Sequence, residues 1–135
     1  MAKFLSFTPQ YARLENVLND QNLARLGDAY VNFIYSIALS KRKGEATGAK
    51  VSSSILAQAL RRAGLRGFLP RRMDRHMLGD AVEALLAYAW MQGAISIEES
   101  VTTLLSADSA AEAFATLLRQ AKKLCFGSTP SAPIP

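Results

Sequence analysis

The sequence predicts an all-helical protein, a compact bundle of about six helices. Three observations carry that prediction. Helix-capping residues recur ahead of apolar stretches spaced at three and four. Glycines stand where those stretches end. Alternating strand patterns are almost absent. Half of the residues are apolar and the mean hydropathy is +0.08, so a substantial core is expected and wholesale disorder is not.

The elements follow in order. Thr8 and Pro9 read as an N-cap and first helical residue, opening a helix to about residue 18. Asp20 caps a long second helix over 21–41, whose basic end at Lys41, Arg42 and Lys43 suits the negative helix pole. A loop with Gly44 and Gly48 follows. Ser52 or Ser53 starts a third helix with apolar Ile55, Leu56, Ala59, Leu60 and Ala63, ended by Gly64 and Gly67. Pro70 marks a turn before a fourth helix over 73–92, closed by Gly93. Two capping boxes, Ser96 with Glu99 and Ser109 with Glu112, open the last two helices. The second and fourth helices are apolar nearly all round, which places both in the middle of the bundle.

The 135 residues fit one domain, 1–126, with a proline-rich mobile tail, 127–135. Cys125 is the only cysteine, so no internal disulfide can form and a reducing, cytoplasmic setting is expected. No apolar stretch reaches the roughly 20 residues of a membrane-spanning helix. Sixteen Lys and Arg against eleven Asp and Glu give a net charge of +5, compatible with a phosphate-rich partner.

The acids in the two apolar helices are the chemical signal. Asp28 lies in the tetrapeptide LGDA at 26–29, Asp80 in a second LGDA at 78–81, and Glu83 follows three residues later. That spacing puts Asp80 and Glu83 on one helix face, and Asn32 shares a face with Asp28. Gly27 and Gly79 would let the two helix backbones approach and bring the three acids together. Carboxylates gathered in a core need neutralising. A hard divalent cation with oxygen ligands is one solution; helix capping, or pairing with Arg25 or Arg75, is the other.

Three segments, in this order, carry a resemblance: QNLARLGDAYVNFIYSIAL at 21–39, VSSSILAQALRRAGL at 51–65 and DAVEALLAYAW at 80–90. Together they resemble the catalytic domain of the ribonuclease III family, most closely its small archaeal-type members without a separate RNA-binding domain. The likeness spans about 20–105. It implies a ribonuclease III endonuclease-domain fold and a homodimer that hydrolyses double-stranded or structured RNA with Mg²⁺ (Mn²⁺ as a substitute). Asp28, Asp80 and Glu83 match the family's metal residues, with Glu83 and Asp28 the catalytic positions. Gln21 and Ala24 stand where the family's signature has glutamates, the second of them a metal ligand. Arg25 stands where an aromatic of the dimer contact often lies.

Ten basic residues between 41 and 75 face only Glu45 and Asp74. Lys41, Lys43, Lys50, Arg71 and Arg72 are the chosen phosphate contacts; Arg42, Arg61, Arg62, Arg66 and Arg75 complete the set. Glu15, Asp20 and Asp74 read as surface or capping acids. His76 reads as a helix-start residue and Cys125 as structural. Tyr88, Trp90 and Met91 read as core or dimer contacts, and Tyr30, Phe33, Ile34 and Tyr35 as packing. Two other functions compete: a non-catalytic RNA-binding relative, suggested by Ala24, and a DNA-binding helix-turn-helix with 52–65 as recognition helix.

Overall fold

The computed structural model describes residues 5–127. It holds six α-helices: α1 (Leu14–Leu18), α2 (Gln21–Lys43), α3 (Ser53–Arg62), α4 (Arg75–Met91), α5 (Ile97–Ser106) and α6 (Ala110–Phe126), with a single 3₁₀ turn at Arg66–Phe68. No strand occurs among the described residues. All of the expected tail except Gly127 lies outside them.

α4 is the centre of the bundle. Residues 81–89 are buried without a break, and α1, α2, α3 and α6 all pack against this helix. Ala81, Ala84, Ala87 and Ala89 keep it slim, so neighbours approach from several sides. α2 departs from expectation. Leu23, Gly27, Tyr30, Val31, Ile34 and Ala38 face the core, but Leu26 is 36% and Phe33 56% exposed. Among the described residues α2 is therefore a cover helix with an exposed apolar edge, and Phe33 is more than half exposed instead of packed in the core.

Most helix starts are where the local chemistry puts them. Asp20 Oδ1 accepts from the Leu23 amide at 2.9 Å and Ser52 Oγ from the Ile55 amide at 3.2 Å. Ser96 and Glu99 form a full reciprocal box at 3.0 and 2.9 Å. Ser109 forms only its own half, because the Glu112 carboxylate is taken by Arg62 and Arg119, both at 3.3 Å. α3 and α4 end alike: Gly64 and Gly93 take positive φ, 77° and 75°, which glycine adopts without Cβ strain. The next amides, Leu65 and Ala94, then reach back to Leu60 O and Ala89 O. Gly67 ends nothing; it lies in the 3₁₀ turn.

The first helix starts later than Thr8 and Pro9 suggest. Thr8 Oγ1 donates to Leu5 O at 2.7 Å instead of capping. The Pro9 carbonyl accepts from Gln92 Nε2 at 3.1 Å, and the Tyr11 amide donates to the Tyr88 hydroxyl, also at 3.1 Å. The segment is thus laced to the C-terminal end of α4, and α1 begins at Leu14.

Candidate active site

Two helices meet at a glycine. A Cβ added at Gly27 would overlap the Glu83 carbonyl and lie 2.9 Å from Glu83 Cα, so α2 and α4 touch backbone to backbone there. Asp28 is the next residue on α2, and Glu83 is the contact residue on α4. Gly79 does not mirror Gly27. Its face meets α3 instead, with Ser53 Cβ at 3.7 Å and Leu56 at 3.8 Å from a built Cβ. The repeated LGDA is therefore not a symmetric contact; one copy joins α2 to α4 and the other joins α4 to α3.

This joint brings the three acids to one cavity of about 250 Å³, lined by Asp28, Asp80, Glu83, Lys50, Ser53 and His76 among others. Asp28 is exposed, Asp80 half-buried, and Glu83 buried at 8% exposure. Burial, then a hydrogen bond with Asp28, then the charges of Asp28 and Asp80 push the Glu83 carboxyl up to about 8, against a small opposing pull from Lys50. Asp80 is also raised, chiefly by burial and next by Asp28, with His76 opposing. Among the described residues, no arginine forms an ion pair with any of the three acids, so pairing with Arg25 or Arg75 is not how they are neutralised. Among the described residues, no three His, Cys, Asp or Glu side chains are grouped so as to hold a metal ion by themselves.

The other acids are otherwise engaged. Asp20 caps α2 and accepts the Tyr11 hydroxyl at 2.7 Å. Asp74 caps α4 through the Met77 amide at 2.9 Å. Glu15 pairs with Arg13 at 2.9 Å. Ala24 is buried at 5% exposure and Gln21 is exposed. Burial raises the Cys125 thiol to about 11, as befits an unreactive cysteine.

The basic set divides. Arg42 donates to Leu104 O at 2.9 Å and Leu105 O at 3.4 Å, closing the end of α5. Arg62 pairs with Glu112. Arg66 holds the carbonyls of Leu69, Pro70 and Arg71. These three are structural, contrary to the reading of the run as phosphate contacts. Lys41, Lys43, Lys50, Arg71 and Arg72 are exposed, and among these five only Lys50 lines the acidic cavity.

Sequence reasoning missed what places Lys50 there. Asn32 Oδ1 accepts from the Val51 amide at 2.8 Å, while its Nδ2 donates to Asp28 O at 2.8 Å and Asp28 Oδ1 at 3.2 Å. One side chain thus ties the loop to the first acid. The readable signal was the polar series Asn32, Ser36, Ser40 along α2.

This is an all-helical domain with acids on two closely apposed helices lining one cavity and a partly free basic surface. The family model for ribonuclease III matches residues 21–123, and this chain belongs to the ribonuclease III family. A search of curated proteins finds no match. Membership leaves no place for the helix-turn-helix reading. No helix among the described residues is long and apolar enough to cross a membrane.

Proposed function

We propose that this protein is a divalent-metal-dependent endoribonuclease acting on double-stranded or structured RNA. The observation that carries the reading is the convergence of Asp28, Asp80 and Glu83 on one cavity in a chain of this family. The donor set suits a hard cation. All three ligands are carboxylates, and Glu83 is a buried acid beside like charges without a compensating arginine. Asp28, Asp80 and Glu83 would hold Mg²⁺, a hard cation that takes oxygen ligands and keeps several waters. Such a cation supplies charge stabilisation at the scissile phosphate and an ionised attacking water.

The chain's own residues do the rest. Glu83 would hold a cation in its ionised form, so binding would release protons and strengthen as pH rises. Asp28 is held by Asn32, and Asp80 stands one turn before Glu83 on α4. The exposed Lys41, Lys43, Arg71 and Arg72 offer contacts to a duplex whose A-form is recognised by shape, phosphates and 2′-hydroxyls. Two copies related by a twofold axis would set one site against each strand. A cytoplasmic setting suits such a substrate.

A second reading, an RNA-binding relative of impaired activity, rests on one observation: Gln21 and Ala24 add no carboxylate. Labelled duplex RNA incubated with and without Mg²⁺, beside Glu83→Gln, separates the two. Mg²⁺-dependent cutting by the wild type that is lost in the variant is the expected result. No product at high protein concentration sinks the nuclease reading and leaves the binding one.

A further inference from the structure

The loop between α2 and α3 is fastened to α2 by a ladder. Ser40 Oγ accepts from the Thr47 amide at 2.9 Å, and its one proton is shared between Ser36 O at 2.8 Å and Thr47 O at 3.1 Å. Ser36 Oγ accepts from the Ala49 amide at 3.0 Å and donates to Ala49 O at 3.1 Å. Asn32 Oδ1 takes the Val51 amide. Four residues of helix advance about 6 Å, and two residues of extended chain about 6.6 Å. That near-match lets three successive helix turns pin every second loop residue.

The consequence is an alternation. Thr47 and Ala49 are half-buried and Val51 is buried, whereas Gly48 and Lys50 are exposed. Lys50 emerges between the last two rungs, on the wall of the acidic cavity. Among the described residues it is the one lysine or arginine lining that cavity. The negative charge that builds on a phosphate hydrolysed beside these acids is stabilised by a positive side chain on the same cavity.

We propose that Lys50 is a catalytic residue that contacts the reacting phosphate, and that Asn32, Ser36 and Ser40 are the positioning residues that hold it over the acids. The proposal rests on the nuclease reading and goes further, because it gives Lys50 a part in turnover and not merely in groove binding. A groove contact fixes the duplex and acts on KM; a contact to the reacting phosphate acts on kcat.

The test is steady-state cleavage of labelled duplex RNA by the full chain at saturating Mg²⁺. Lys50→Gln, an exposed loop change, is expected to lower kcat about 100-fold with little change in KM. Ser36→Ala removes a hydroxyl bonded to the Ala49 main chain and leaves the acids in place. It should lower kcat about tenfold in the wild type and have no further effect in the Lys50→Gln background, the non-additivity of coupled residues. Ser36→Thr, which keeps the hydroxyl, should restore kcat. Faster amide exchange at Ala49 in Ser36→Ala reports the broken rung independently of activity. Wild-type cleavage with kcat unchanged in Lys50→Gln overturns this proposal alone, as does an equal Ser36→Ala effect in both backgrounds. Absence of cleavage by the wild type overturns the nuclease reading and this inference with it.

Discussion

Replacing Glu83 by Gln removes one ionisable proton from a buried side chain of the acidic cavity. The amide keeps the shape and retains an N–H to offer Asp28. In the wild type the carboxyl titrates near 8, against 4.5 ordinarily, with burial the main cause. The folded state therefore holds the proton more tightly than the unfolded chain does. The stability this contributes is complete below about pH 4.5 and is lost as pH rises through about 8. At 1.36 kcal/mol per pKa unit the ceiling is about 5 kcal/mol, and water entering the cavity lowers it to about 2–4 kcal/mol. Urea denaturation from pH 5 to 8.5 in a chelator measures it. The wild type should lose that amount more than Glu83→Gln, because the other carboxylates largely cancel in the difference. Saturating Mg²⁺ should restore the wild type at pH 8 and leave the variant nearly unchanged. Parallel stability curves for the two proteins would refute the reasoning.

The two LGDA glycines should respond in opposite directions. Gly27→Ala drives a methyl into the Glu83 main chain and should cost about 3 kcal/mol or more by denaturation. Gly79→Ala makes only ordinary contacts with Ser53 and Leu56 and should be neutral or stabilising by up to about 1 kcal/mol, the helix preference of alanine over glycine. Ala24→Glu places an acid at a buried position. It should lower metal-free stability by about 2 kcal/mol or more and raise Mg²⁺-dependent cleavage, and a variant that is both inactive and insensitive to Mg²⁺ counts against a ligand position at 24.

What the sequence disclosed was mostly local. Asp20, Ser52 and Ser96 cap because a side chain needs only its own next turn to do so. Thr8 and Pro9 misled because their competitors, Tyr88 and Gln92, stand 77 residues from Tyr11 and 83 from Pro9 in sequence. Spacing put Asp80 and Glu83 on one face, and Gly27 marked the joint with α2. The same residue type at Gly79 faces another helix, which a tetrapeptide cannot tell. Charge counting placed Arg42, Arg62 and Arg66 among the phosphate contacts, although distant carbonyls bind Arg42, Glu112 binds Arg62 and the carbonyls of the following turn bind Arg66. The polar stripe on α2 was visible, but its partners were loop amides, which carry no side-chain signature.

The main-chain contact between Gly27 and Glu83 has a consequence for how the acids can move. Side chains adjust by rotamer, but two abutting backbones cannot close further, and the buried flanks of α2 and α4 resist separation. The spacing of Asp28 and Glu83 is therefore preorganised. Folding has already brought their charges together, so whatever the pair takes up, a proton or a cation, meets a site that needs little rearrangement.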